Sequence, residues 1–256
     1  MTPLTTPAPA IPETATAAFS RSLVNSSITT ARIVLKQAGI PLPAFAHWSP
    51  AQWEATGDEA REIRDCMLGW DVTDFGSDRF HEIGRILFTL RNGRSADPRY
   101  PKSYAEKFLI EPEGQRSPIH FHRSKREDII NRKGGNIIVC LHPVGEDEKP
   151  STIGSLAVQI DGFTKQVPAG SNIRLREGES LTIPPRTFHQ FWAEEGTGIP
   201  IDGVRYTISG EVSSVCDDWN DNVFIDPWAR RFRPILEDEP RTCYLCHEYP
   251  PAPLAN

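Results

Sequence analysis

Apolar positions change their spacing once along the chain. Val24, Ile28, Ala31, Leu35 and Ala38 recur at intervals of four, three, four and three, a single stripe on one α-helix. Gly39 is placed as the residue that ends this helix, and Pro41 blocks its continuation. Ser49-Pro50-Ala51-Gln52 supplies an N-cap serine, a first-turn proline and a capping-box glutamine, predicting a second helix through about Met67. From about Ile86 the pattern turns to short β-rich runs: Ile86–Leu90, Glu106–Glu111, Asn136–Leu141, Leu156–Ile160, Asn172–Leu175, Ser180–Ile183 and Val204–Ile208. Asn92-Gly93, Gly134-Gly135, Asp161-Gly162 and Glu177-Gly178 punctuate them as turns. The expectation is a closed antiparallel β architecture over residues 86–256, behind a helical extension over 19–85. Residues 1–18, rich in Thr, Pro and Ala, read as a disordered tail.

Within the β-rich region one stretch carries metal chemistry. In a strand, side chains two apart share a face, so His120 and His122 can chelate together while Phe121 points away. Glu127 follows His122 by five residues, an offset that a straight strand would turn outward. Arg123 to Arg126 must therefore form a turn that brings Glu127 back on the next strand. His189, after Gly178 and Pro184, is a third imidazole. Three imidazoles and one carboxylate suit a first-row divalent ion with coordination positions left open.

Composition narrows the partners. At 256 residues the chain can bury one sizeable core, and a net charge of −6 gives no electrostatic reason to expect nucleic acid or an anionic membrane. No apolar run approaches the roughly twenty residues needed to span a bilayer, and the first residues lack a secretory pattern. Cys66, Cys140, Cys216, Cys243 and Cys246 form no regular framework, which favours a reduced, cytoplasmic chain. Cys243-Tyr244-Leu245-Cys246-His247 matches a c-type haem attachment pattern, but that attachment requires export. A zinc clip there lacks an evident fourth ligand, so packing of a C-terminal strand is the expected role. His47, His81, His142 and His247 have no partner at ligand spacing.

The double pattern from Gly114 to Gly134 and from Gly178 to His189 resembles the two cupin motifs. Arg186 and Ala193 stand where many cupins have Gly and Asn. Three further runs make the likeness more specific: Lys125-Arg126-Glu127-Asp128-Ile129-Ile130-Asn131-Arg132, Leu181-Thr182-Ile183-Pro184-Pro185, and Gly210-Glu211-Val212-Ser213-Ser214-Val215 before Asp217-Asp218. With Asp221-Asn222 and Glu248-Tyr249-Pro250, they resemble the D-lyxose isomerase family from about Ser103 to Pro250, and more weakly back to Arg91-Asn92-Gly93. The chain departs from the family in extra length at Ile199 to Tyr206, and in Cys216 and Trp219 within the acidic run. The resemblance implies a mainly-β cupin, or jelly-roll, barrel. It also implies an enzyme that interconverts D-lyxose with D-xylulose, and D-mannose with D-fructose, by proton transfer through a cis-enediolate. His120, His122, Glu127 and His189 would bind the metal. Isomerisation needs no redox change, so Mn2+ is the natural occupant, with Fe2+, Co2+, Ni2+ and Zn2+ compatible with the same ligands.

Catalytic candidates follow from placement. Glu211, after a strand-like run and Ser209-Gly210, is the first choice of base; its alternative reading is a solvent-facing strand end. Lys125, two residues before Glu127, could point at the metal and serve as acid or oxyanion stabiliser; otherwise it is an exposed lysine in a charged turn. Lys107 lies in an apolar run, where an unpaired ammonium is costly, so it either reaches out to water or binds a sugar hydroxyl. Asp217 and Asp218 are substrate-binding candidates or simply an acidic loop. Two other classes use the same metal set: an Fe2+ dioxygenase and a non-enzymatic sugar-binding cupin. A phosphosugar isomerase would need clustered cations, which Arg230-Arg231-Phe232-Arg233 could supply. A homodimer is the expected assembly, on the frequency of such oligomers alone.

Overall fold

The computed structural model describes residues 18–95 and 97–252, so residues 1–17 of the expected tail over 1–18 lie outside the described residues. The first helix, α1 (Arg21–Gln37), forms where the periodicity puts it, and Val24, Ile28, Ala31 and Leu35 are all buried. Ser20 caps its first turn, and Gly39 turns left-handed after its end, at φ +73°. The second helix is shorter than expected. Its capping box between Ser49 and Gln52 is present, but α2 (Pro50–Glu54) stops before Gly57 and α3 (Arg61–Asp65) restarts the turn. Arg64 stabilises the break by donating to the carbonyls of Trp53, Thr56 and Gly57, groups that a continuous helix would have used internally.

Among the described residues, fourteen strands make two antiparallel sheets. The larger contains β1 (Gly69–Thr73), β2 (Arg85–Arg91), β3 (Tyr104–Pro112), β5 (Glu127–Lys133), β7 (Ser155–Ile160), β8 (Phe163–Pro168), β10 (Ser180–Ile183), β12 (Ile199–Ile201) and β13 (Val204–Ser214). The smaller contains β4 (His120–His122), β6 (Ile137–Pro143), β9 (Asn172–Leu175), β11 (Thr187–Ala193) and β14 (Asn222–Phe224). Leu87, Leu109, Ile129 and Leu181 of the first pack with Val139, Leu141, Ile173 and Phe191 of the second, so the two sheets share one core. This is the expected mainly-β, double-sheet architecture with a helical N-terminus. Among the described residues no helix is long and apolar enough to cross a membrane.

One strand begins earlier than the pattern suggested. Gly69–Thr73, inside the stretch read as helical, pairs along β2 and extends the large sheet. Trp70 and Val72 face α1, while Asp71 lies opposite Leu87. Strands β1, β2, β3 and β13 are covered on both faces, by the helical layer and by the small sheet. Burial on both faces erases the alternation that identifies a half-exposed strand. The extra length at Ile199 to Tyr206 has a similar explanation: β12 hairpins onto β13, and Ile199, Ile201 and Tyr206 pack into the α1 core.

The C-terminal segment fastens the helical layer without forming a strand. Arg21 is fully buried and donates to Glu237 at 2.9 and 3.0 Å and to Glu248 at 2.5 and 3.2 Å. Cys243 and Leu245 enter the same core, and Tyr249 Oη donates to the Leu68 carbonyl at 2.7 Å. Packing is therefore the role of Cys243, as expected, though from a loop. Ile28→Ala, which hollows the contact between α1 and the sheet, should lower the unfolding free energy by about 2 to 5 kcal/mol in denaturant titrations.

Candidate functional site

β4 and β11 are antiparallel neighbours, with His120 directly opposite His189, and His122 falls on the same face as His120. The ligating atoms of His120, His122 and His189 all lie within 4.8 Å of one another. Arg186 occupies the left-handed region at φ +57°, at the position where the cupin pattern favours glycine. The expected turn over Arg123–Arg126 is present, and a residue outside it organises it. Asp221 accepts from Ser124 N and Oγ at 2.8 and 2.7 Å and from Lys125 N at 3.1 Å, and this turn returns Glu127 on β5.

The donor set fits a divalent cation. Nδ1 of His120 donates to the Pro118 carbonyl and Nδ1 of His189 to the Thr187 carbonyl, which leaves each Nε2 with a lone pair. Nδ1 of His122 is buried without a hydrogen-bond partner, and the Asp221 carboxylate lies 3.8 Å from it. Burial, followed by the neighbouring imidazoles, holds His120 well below its usual range, and burial with the nearby Lys125 lowers His122. Neutral imidazoles are what coordination requires. Glu127 Oε1 is buried, has no hydrogen-bond partner, and sits 3.0 Å from His189 Nε2. Two acceptors in such contact repel unless a cation lies between them. Glu127 thus meets His122 and His189, while the compact three-atom set is formed by the histidines alone.

The other candidates line the same cavity. Glu211 on β13 is directly opposite Lys107 on β3, and both are buried. Lys125 Nζ lies 2.8 Å from Glu211 Oε1 and 2.7 Å from Glu127 Oε2, so it is no exposed turn lysine. Lys107 Nζ lies 3.7 Å from Glu211 and 3.6 Å from Asp218. Burial alone would raise the Glu211 carboxyl, but Lys107 and Lys125 outweigh it and hold it at about 2. Asp218 is likewise depressed, since Lys107 and Arg231 overcome its burial. Asp217 is the exception. It is exposed, lies away from the cavity, and caps its own turn by accepting from Trp219 N and Asn220 N. Adjacent residues in an irregular segment need not share a direction, and only Asp218 turns inward.

Four charged residues at or beside the cavity were not among the candidate site residues of the sequence reading, though Arg231 belonged to the run considered for a phosphate. Arg85 stacks 4.5 Å from the Phe191 ring centre and lies 3.5 Å from Glu111. Arg231 pairs with Asp71 at 2.7 Å and approaches Asp218 at 3.9 Å. The signal that singled out Lys107, a charge set inside an apolar run, is present at Arg85, Asp71 and Glu111 as well. The Arg230–Arg233 run is no cluster of free cations: Arg231 faces Asp71, and Arg233 bonds Asp74 and Asp78 at 2.8 and 2.7 Å. Asp71, Cys246 and His247 also converge. There the guanidinium of Arg231 already neutralises Asp71, and burial followed by the Asp71 charge pushes the Cys246 thiol well up. That group is a packed polar cluster.

Comparison with known proteins decides the family. Residues 19–249 match the family model described as D-lyxose isomerase. The chain belongs to the D-lyxose isomerase family. It is 45% identical over 232 residues to the D-lyxose/D-mannose isomerase of Escherichia coli O157:H7, covering 90% of this chain and 98% of that one. Identity to the Serratia proteamaculans D-lyxose/D-mannose isomerase is 44% over 229 residues, 89% of this chain and 96% of the relative. The fold is shared with L-ribose isomerases: that of Acinetobacter sp. DL28, solved with L-ribose, superposes with a TM-score of 0.54 at 15% identity, covering 83% of this chain and 94% of that one. The Geodermatophilus obscurus L-ribose isomerase gives 0.56 at 17% identity, covering 86% and 99%.

The charge pairing of the D-lyxose isomerase family member has a pH signature. A carboxyl depressed on folding contributes stability that is present above its unfolded value, near pH 4, and lost as pH falls through its folded value. Asp218→Asn should cost about 3 kcal/mol at pH 7 by removing one of the two carboxylates that face each of Lys107 and Arg231. It should also flatten the acid loss of stability below about pH 4. Asp217→Asn should stay within about 1 kcal/mol, because a turn contact at the surface is all it changes.

Proposed function

We propose that this chain is a metal-dependent aldose–ketose isomerase that interconverts D-lyxose with D-xylulose and D-mannose with D-fructose. One observation carries the reading: a cluster of three histidines and Glu127 opens into the same cavity as Glu211, Lys125 and Lys107. The names of the relatives at 45% and 44% identity support the choice of sugars. His120, His122, His189 and Glu127 would hold the ion, with Mn2+ the natural occupant. When bound, it supplies Lewis-acid stabilisation of charge on adjacent sugar oxygens.

The chain's own groups handle the proton. Glu211 takes the hydrogen from C2 of the open-chain aldose. The C–H electron pair becomes the C1–C2 double bond, and negative charge passes to O1. The ammonium groups of Lys125 and Lys107 stand where they stabilise that charge. The O2 hydroxyl proton moves to O1, the C2 carbonyl forms, and Glu211 returns its proton to C1. In the free protein the carboxylate is held at about 2, too low for an efficient base. Sugar hydroxyls that take hydrogen bonds from Lys107 and Lys125 loosen this hold and raise its basicity at the moment of reaction. Asp218 keeps Lys107 charged and oriented, and Arg85 and Phe191 form an opposing wall of the cavity.

Incubation with added Mn2+ should give ketose from both D-lyxose and D-mannose without oxygen uptake. In deuterated water, label should appear on the carbon that receives the proton; an unlabelled product would mean a hydride shift instead. Glu211→Gln should bind metal normally yet lose about two to four orders of magnitude in turnover. Lys125→Ala should fall less far. His122→Ala should lose its metal on dialysis, and full retention would remove His122 from the ligand set.

A further inference from the structure

The two oxygens of Glu211 have different surroundings, and the difference is built by residues outside the catalytic set. Lys125 Nζ lies 2.8 Å from Oε1, Ser213 Oγ 2.9 Å and Cys216 Sγ 3.4 Å, while the more distant Lys107 Nζ at 3.7 Å also faces Oε1. Among the described residues no donor reaches Oε2. That oxygen is nevertheless not sealed in the interior, because Glu211 lines the cavity and Oε2 is open to it. A carboxylate can rotate and exchange its oxygens. Donors on one oxygen only prevent this and aim the other.

The clamp follows from strand geometry. Ser213 is two residues beyond Glu211 on β13 and so shares its inward face. Its hydroxyl also lies 2.9 Å from the Ser214 carbonyl, but an ionised carboxylate is the stronger acceptor. Cys216 lies past the end of the strand, where the chain would be free to stray. It is fixed there by buried Asn92, whose Oδ1 accepts from Cys216 N at 3.0 Å and whose Nδ2 donates to the Cys216 carbonyl at 3.1 Å. Gly93, next to Asn92, lets Lys102 pack closely against the same loop, since a Cβ there would overlap the Lys102 carbonyl oxygen. Ser213 Oγ and Cys216 Sγ are themselves 3.4 Å apart, so the two donors form one unit.

We propose that Ser213 and Cys216 are positioning residues that lock Oε1 of Glu211, making Oε2 the oxygen that carries the proton between C1 and C2. The proposal rests on Glu211 being the base. Cys216 has a thiol where a stronger donor could stand, so this chain holds its base with one firm and one soft contact. Asn92, Cys216 and the loop between β2 and β3 thereby acquire a function that the metal site leaves unexplained.

The test uses the metal-loaded enzyme, with Ser213→Ala, Cys216→Ala, their double variant and Cys216→Ser. The double variant should lose about tenfold to a hundredfold in kcat, with KM within about twofold of wild type and metal content unchanged. Cys216→Ser, which keeps a donor in place, should recover most of the loss seen in Cys216→Ala. In deuterated water a loosely held base has time to exchange, so the double variant should give product with more solvent label per turnover than wild type. Wild-type kcat and labelling in the double variant would overturn the proposal. So would equal losses in Cys216→Ala and Cys216→Ser accompanied by reduced metal content, which would mark the contacts as structural. Glu211→Gln separates the two readings. If it keeps full turnover, the base assignment itself fails; if it is inactive while the double variant is normal, only the clamp fails.

Discussion

Seven ionised groups alternate in sign through the barrel interior: Glu127, Lys125, Glu211, Lys107, Asp218, Arg231 and Asp71, each within 4 Å of the next. Any one of them buried alone would be prohibitively costly, and each is tolerated because its neighbours in the series carry the opposite charge. The chain of charges ties together four strands of the large sheet, β1, β3, β5 and β13, and the C-terminal segment that carries Arg231. It ends at one side on Glu127, beside the histidines, and at the other on a strand supported by α1. Packing of the helical layer and geometry of the site are therefore coupled through charge. A shift of β1 moves Asp71, then Arg231, then the charged groups that line the cavity.

This coupling explains why the helical extension belongs to the site's foundation. The inner face of β13 is polar throughout, running Thr207, Ser209, Glu211 and Ser213, and contributes little apolar burial toward the small sheet. Its opposite face carries Ile208 into the α1 core, with Ile86, Phe88 and Ile110 of the adjacent strands. The functional strand is thus stabilised from the side away from its chemistry. Hydrophobic burial behind the sheet offsets the cost of lining its front with charges, and Arg21, bonded to Glu237 and Glu248, holds the helix against that back face.

How much of this was legible in the sequence depended on the length scale of the signal. The α1 stripe, the capping box at Ser49 and the turn returning Glu127 are local patterns, and each appears where the residues put it. The convergence of His120 and His122 was legible because strand periodicity fixes their relation locally, whereas His189 was set beside them only by the second motif. Asp71, Arg85 and Arg231 were not, since their meaning lies in partners up to 160 residues away and no period connects them. The strand at Gly69–Thr73 was missed because burial on both faces removes alternation, and Asp217 and Asp218 could not be told apart because an irregular segment gives no rule for which neighbour faces inward. Asp221 carried a family likeness but no role, which only the turn it builds supplied.

The same pairing constrains what the cavity can accept. Arg85, Lys107, Lys125 and Arg231 would be four attractive cations for a phosphate if they were free, yet each already faces a carboxylate: Glu111, Asp218 and Glu211, Glu127 and Glu211, and Asp71. A dianion entering this site would have to displace a buried carboxylate and leave it unpaired, at a cost of several kcal/mol. A neutral polyol makes no such demand. Each of its hydroxyls can donate to a carboxylate and accept from an ammonium without separating the pair, inserting into the alternation and preserving it. The charge pattern therefore favours a neutral polyol over a dianion by what it has already neutralised, and it leaves the choice among polyols to the shape of the wall formed by Phe191, Arg85 and their neighbours.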